Sequence, residues 1–229
     1  MNHPKVTIAS VVEGEGEISA LPVLLRRLMY EAQIWDADIQ PPFLVDRGRL
    51  VRPGGLEAAV EAQVRRVPAD HPGGILVVID AADDCPASLV PSLLAKAEAA
   101  SPDRRTAVVL ANREFEAWFL VSAPSLGGRA GLTEDLKVPA NSETLRDCKG
   151  WLTHHRRDGV RYRPRVDQPA LTQGMDLDLA RANSSSSTSS AATSPIWSPE
   201  SGGIAAHVRP RRSSLRKRHS RRLAGARLE

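Results

Sequence analysis

KVTIASVVEGEGEISALPVLLRRL, residues 5–28, carries the reading from which the fold follows. Residues 5–12 are a β-branched apolar run, the signature of a buried strand. The run stops at the acidic, glycine-broken stretch Glu13 to Glu17. Ile18, Leu21, Leu24, Leu25 and Leu28 then recur at three- and four-residue spacing with Arg26 and Arg27 opposite, which predicts an amphipathic helix. The same strand–acidic turn–helix order recurs downstream. Ile75 to Ile79 is the strongest strand signal; it ends at Asp80, and after an acidic loop through Asp84 a helix is expected from Pro86 or Ala87 through Leu89, Leu93, Leu94 and Ala97. Thr106 to Leu110 is a further apolar strand, giving way at Asn112 to a helix holding Phe115, Trp118, Phe119 and Leu120.

Weaker signals fill the gaps. Phe43 to Val45 reads as a short strand. Gly54 and Gly55 precede a helix through Leu56, Ala59, Val60, Gln63 and Val64, and Pro68 to Gly74 reads as a loop. Residues 125–143 look irregular, with a short closing helix near Glu143 to His154. Strands that are apolar throughout and alternate with helices imply a parallel sheet covered on both faces, hence an α/β fold.

The chain of 229 residues has 41% hydrophobic and 25% charged residues, as in ordinary soluble proteins. Its net charge of +4 is unevenly spread. Residues 184–229 hold nine Lys/Arg against Glu200 and Glu229, so 22 basic and 25 acidic side chains remain in residues 1–183. The body is therefore mildly acidic, and the high isoelectric point belongs to the tail. Ser184 to Pro199 is Ser/Thr/Ala/Pro-rich and residues 209–227 are Arg-rich, with no periodic apolar face. Both stretches read as disordered, setting a folded domain 1–183 apart from a tail 184–229. A basic tail can bind nucleic acid by charge alone. A frameshifted terminus is a second explanation, since one legal set of codons for Ser187 through Trp197 encodes an amphipathic helix in another frame. Two cysteines, Cys85 and Cys148, make no zinc framework, and no span of eighteen apolar residues or signal peptide is evident. The expectation is a soluble, cytoplasmic protein with no membrane contact.

Three strong strands end in acids: Glu13, Glu15 and Glu17; Asp80, Asp83 and Asp84; Glu114 and Glu116. Ligands of open α/β sheets bind beyond the carboxyl ends of the strands. Carboxylates gathered there repel a phosphate but suit Mg²⁺ or Mn²⁺, which take hard oxygen ligands and keep waters a phosphate can displace. Such ions can polarise a phosphodiester. Taken singly, each acid is as readily a solvated turn residue or a helix cap: Glu17 for the first helix, Asp83 or Asp84 for the one near Pro86.

Rival motifs fail. Gly14 and Gly16 lack the third glycine of a dinucleotide fingerprint, Ser19 standing at that spacing. No phosphate-binding GxxxxGK[ST], nucleophile elbow or HExxH occurs. His154 and His155 are adjacent, so on a helix they do not face one metal. Trp118 and Phe119 read as core. Arg156, Arg157, Arg161, Arg163 and Arg165 form a candidate nucleic-acid track, with a solvated loop as the plainer alternative.

Together these residues resemble a known pattern. A strand followed by E-G-x-x-E, here Glu13 to Glu17, and a second strand followed by D-x-D resemble the Toprim fold of topoisomerases, primases and OLD-type nucleases. VVEGEGEISALPVLLRRL, LVVIDAADDCP, VLANREFEAWFL and the segment Tyr162 to Thr172 look like one bacterial Toprim-like family related to RloB-type proteins, whose N-x-x-F-E-x-W matches Asn112, Phe115, Glu116 and Trp118. The resemblance spans about residues 5–183. It implies Glu13 as metal ligand or general acid/base, Glu17 as a second ligand, Asp80 as the first aspartate of D-x-D and Glu116 completing the catalytic site. It also implies an ATPase partner in trans and a role in antiviral defence.

The second aspartate of D-x-D falls on Ala82. Asp83 or Asp84 could replace it as a metal ligand, at the cost of re-aiming the carboxylate. The tail departs too, since relatives are expected to continue in a helix after Arg181. The expected activity is metal-dependent cleavage of DNA or RNA phosphodiesters. A non-catalytic subunit that binds an ATPase is the alternative, and nucleotidyl or phosphoryl transfer on a small substrate is a third.

Overall fold

The computed structural model describes residues 5–142 and 144–184. Three long parallel strands form its centre: β1 (Thr7–Val12), β4 (Gly73–Asp80) and β5 (Arg105–Ala111), with β4 between the other two. Two short strands, β2 (Asp38–Ile39) and β3 (Phe43–Leu44), pair in turn with the first and second halves of the free side of β1, also in parallel. All strand ends therefore point the same way, and the turns that leave the strands gather at one edge.

Alternation along the strands sends side chains to two separate cores. Ile8, Val12, Leu76, Val78 and Val109 face one layer of helices; Ala9, Val11, Ile75, Val77, Ile79, Val108 and Leu110 face the other. The first layer holds α1 (Glu17–Glu31), α5 (Ala117–Val121), α6 (Cys148–His154), α7 (Pro164–Gly174) and α8 (Leu177–Asn183). The second holds α3 (Gly55–Val64) and α4 (Pro86–Ala100), with a one-turn α2 (Arg47–Leu50) beside them. This is an α/β fold with a parallel sheet covered on both faces. None of its described helices is long and apolar enough to cross a membrane.

Several boundaries depart from the sequence expectation. β4 begins at Gly73, inside the stretch expected to be loop, because glycine lets two backbones meet: a Cβ on Gly73 would lie 1.9 Å from the Thr7 carbonyl oxygen. On α1 the buried face runs through Ala20, Leu21, Leu24, Leu25, Leu28 and Met29, leaving Ile18 at the exposed margin. The helix expected from Glu143 starts only at Cys148, where the Asp147 carboxylate caps it by accepting from Gly150 N at 2.7 Å. Closure of the first layer is the work of α7, which packs against α1, and of α8. Trp118 and Phe119 are core as expected, each in ring contact with buried Phe115, which lies in the turn before α5 rather than on the expected helix. The Ser-rich and Arg-rich stretches of the tail lie outside the described residues.

Candidate functional site

The parallel sheet brings Glu13 (one residue beyond β1), Glu17 (first residue of α1), Asp80 (last residue of β4) and Glu116 (just before α5) to one edge. Four carboxylates from distant sequence positions act on one another here. Burial raises the Glu17 carboxyl to about 9, reinforced by the charges of Asp80, Glu13 and Glu116. Burial likewise raises Asp80 to about 8, with Glu13 and Glu116 adding repulsion. Glu13 is shifted upward as well, by burial opposed chiefly by the Arg47 guanidinium, and its Oε2 is buried with no hydrogen-bond partner. Stacked burial and like charge favour the protonated form or a cation.

Each acid is held differently. Asp80 Oδ1 accepts from Phe115 N at 2.8 Å, tying the end of β4 to the turn after β5. Glu17 Oε2 reaches back to Gly14 N at 3.4 Å. Glu116 is fully engaged: its Oε1 accepts from the Tyr162 hydroxyl at 3.1 Å and its Oε2 from Lys149 Nζ at 2.9 Å. The same ammonium donates to Glu114 Oε2 at 2.9 Å.

A cleft of about 460 Å³ opens over three of these acids, Glu17, Asp80 and Glu116; Glu13 is not among the residues that line it. Glu17, Asp80 and Glu116 line its acidic part, while Lys149, Arg163 and Arg165 bring positive charge to its wall. Gly16 is the point of closest approach. A Cβ there would fall 1.7 Å from Gln168 Oε1 and 2.9 Å from Pro164 Cβ, so a side chain at residue 16 would displace Gln168 and press the loop after β1 away from α7.

Asp83 and Asp84 stand apart from the other acids. Ala82 has a φ of 51°, and this left-handed step carries the two aspartates outward. The Asp83 carboxylate pairs with Arg113 and Arg146, each at 2.8 Å, and Asp84 pairs with Arg47. Neither lines the cleft. Neither caps α4, whose cap residue is Cys85.

The arginine track divides. Arg156 has a buried side chain, bonded to Asp167 at 3.0 Å and to Asp158 at 2.6 and 2.9 Å, so it does not belong to an open basic surface. Arg157 is exposed and pairs with Glu134 at 3.0 Å. Arg161 is exposed, and Arg163 and Arg165 lie on the cleft wall, Arg165 in a two-bond pair with Glu15 at 2.5 and 2.8 Å. His154 and His155 meet in a T-shaped contact while His155 stacks on Trp151.

Sequence reasoning missed Lys149, Tyr162 and Arg47. Arg47 donates to the Asp80 carbonyl at 2.5 Å and so braces the end of β4. No local pattern marks these residues, although Tyr162 opens the segment that carries part of the resemblance.

Among the described residues, no group of three or more His, Cys, Asp or Glu side chains is placed so as to hold a metal ion as it stands. In donor chemistry Glu13, Glu17 and Asp80 fit a hard divalent cation: all oxygen, in excess negative charge, with one oxygen buried and unpartnered. Glu116 fits less well, because each of its oxygens already accepts one hydrogen bond and the Lys149 ammonium partly neutralises its charge. Comparison of the chain with protein-family models, with curated proteins and with solved structures finds no match.

Proposed function

We propose that this chain is a Toprim-like, divalent-metal-dependent hydrolase of nucleic-acid phosphodiesters, acting in antiviral defence beside an ATPase supplied in trans. One observation carries the chemistry: Glu13, Glu17 and Asp80 come together at the carboxyl edge of a parallel sheet, where burial and mutual repulsion disfavour their ionised forms and a cation would relieve both, and Glu17 and Asp80 line a cleft whose wall bears Arg163 and Arg165. The partner and the biological role rest on the sequence resemblance.

Glu13, Glu17 and Asp80 are the residues that would hold Mg²⁺ or Mn²⁺. When bound, such an ion polarises a phosphodiester and acidifies a coordinated water. The chain's own work is positioning. Asp80 is fixed by Phe115 N and Arg47, and Glu116 by Lys149 and Tyr162, so neither carboxylate has to be ordered when substrate arrives. Arg163 and Arg165 supply the charge that draws a phosphate toward an otherwise acidic floor.

A second reading is favoured by Ala82. With no carboxylate at that position, and with Asp83 and Asp84 held by arginines, the domain would serve as a non-catalytic subunit that binds the ATPase. A nuclease assay on supercoiled and single-stranded DNA and on RNA, with Mg²⁺ or Mn²⁺, separates the two. The native protein is compared with Glu13→Ala and Ala82→Asp. Cleavage lost in Glu13→Ala supports the hydrolase; activity only in Ala82→Asp means a site disabled by one residue; silence from all three, with an ATPase partner also added, favours the subunit.

A further inference from the structure

Resting on the nucleic-acid reading above, we infer that Gln168 is a substrate-binding residue: its side-chain amide donates to a non-bridging phosphate oxygen of the strand that Arg163 and Arg165 draw into the cleft. The residue is buried without a partner. Gln168 is 2% exposed and lines the cleft, yet among the described residues its amide makes no hydrogen bond. An amide that gives up water without gaining a partner costs stability, and nearly all buried polar groups of folded proteins are paired. Here the partner has to come from the cleft.

The surroundings of the amide select that partner. Arg165 and Gln168 are three residues apart on α7, hence neighbours on one face of the helix. Arg165 is exposed at the rim, paired with Glu15, while Gln168 lies one turn deeper. Its Oε1 rests against Gly16, where a Cβ would otherwise stand, and Gly16 adjoins the buried Glu17. The amide therefore lies between the arginine wall and the acidic floor. With its oxygen set on Gly16, the side chain has its N–H donors left to offer. Reading a base such as adenine takes both ends of an amide; an acceptor-only phosphate oxygen takes the donor end alone. A neutral donor also holds an anion without adding positive charge beside the acids. The backbone that carries it is fixed, since the adjacent Asp167 accepts from Arg163 N at 2.7 Å and from Arg156 at 3.0 Å.

The test reads binding rather than turnover. Full-length native protein, Gln168→Met and Gln168→Leu are titrated into labelled single-stranded oligo-dA, oligo-dT and an abasic strand of the same length, with fluorescence anisotropy as the signal. Each titration is run over a range of salt, in EDTA and in Mn²⁺, with the length of the probe checked afterwards. Circular dichroism and thermal melts report the fold. Both variants are expected to bind about tenfold more weakly, by the same factor on all three strands. Their Tm should be unchanged or raised, because no internal hydrogen bond is lost, and the salt dependence should keep its slope, because no cation is removed. A loss that disappears on the abasic strand makes the amide a reader of bases and overturns the phosphate assignment. A shallower salt slope makes Gln168 a positioning residue for the arginines and overturns direct contact. Native affinity in both variants overturns the role of Gln168 and leaves the nucleic-acid reading standing. No binding by the native protein in either buffer overturns that reading and this inference together. Failure of both variants to fold overturns the inference too, because it makes the amide a structural group.

Discussion

The Tyr162 hydroxyl donates to Glu116 Oε1 at 3.1 Å across 46 residues of chain, inside the core and at the margin of the cleft. The two residues belong to separate sequence motifs, one before α5 and one before α7, and the bond fastens the closing helices to the end of the sheet. Tyr162→Phe leaves one oxygen of a buried carboxylate unpaired. The expected cost is about 1–3 kcal/mol of stability, read as a lowered urea midpoint with an unchanged slope.

The pH dependence has a definite sign. Glu17 and Asp80 titrate near 9 and 8 in the folded chain against ordinary values of 4.5 and 3.8. The folded state therefore binds more protons than the unfolded state between those limits, and the metal-free protein loses stability as pH rises from about 4 to about 9. Glu17→Gln flattens this decline. At pH 8.5 it should raise Tm, through roughly 2 kcal/mol of relieved burial and repulsion, a gain measurable by thermal melts without metal. An unchanged pH profile in the variant would remove Glu17 from the account.

Divalent ions should act in the opposite direction. Binding to the ionised carboxylates displaces protons, so the Tm increase caused by Mg²⁺ or Mn²⁺ should grow between pH 6 and pH 9. Glu13→Ala should reduce that increase at every pH. Equal metal shifts in the native and Glu13→Ala proteins would place the ion elsewhere.

At Ala82 the backbone already suits an aspartate. Its φ of 51° lies in the left-handed region, where Asp and Asn are tolerated better than Ala. Ala82→Asp is expected to fold with a stability change within about 0.5 kcal/mol and to tighten Mn²⁺ binding, measured by calorimetry. A destabilised variant with no gain in affinity would show that the loop cannot aim a carboxylate inward.

The two kinds of arginine should separate cleanly. Removing Arg156 takes from buried Asp167 the nearer of its two arginine partners, leaving Arg163 at 3.6 Å and the Arg163 N–H at 2.7 Å, an expected loss of about 1–3 kcal/mol. Arg161→Ala concerns an exposed side chain and should leave Tm nearly unchanged, and Arg163→Ala should cost under about 1 kcal/mol, its 3.6 Å pair with Asp167 being held from the solvent side; both should weaken binding to a labelled single-stranded oligonucleotide, the more so at low salt.

Sequence alone determined the layout of the fold. The runs 75–79 and 106–110 are apolar at almost every position, and 5–12 carries apolar residues at both odd and even positions; only a sheet covered on both faces buries residues of both parities. Parallel strands then oblige the turns after them to share an edge, so the meeting of Glu13, Glu17, Asp80 and Glu116 was legible before any coordinates. Local spacing could not say which of the neighbouring acids join that group. Asp83 and Asp84 read as equivalent to Asp80, yet the left-handed turn at Ala82 delivers them to Arg113, Arg146 and Arg47. Nor could a run of arginines reveal that Arg156 is buried against Asp167 while Arg163 lines the cleft. Lys149 and Tyr162 reached Glu116 only through the packing of elements more than 30 residues away. Hydrophobic periodicity is a property of neighbours in the chain and fixes elements and their order; charge pairing depends on distances across the fold, and only the tertiary structure decided them.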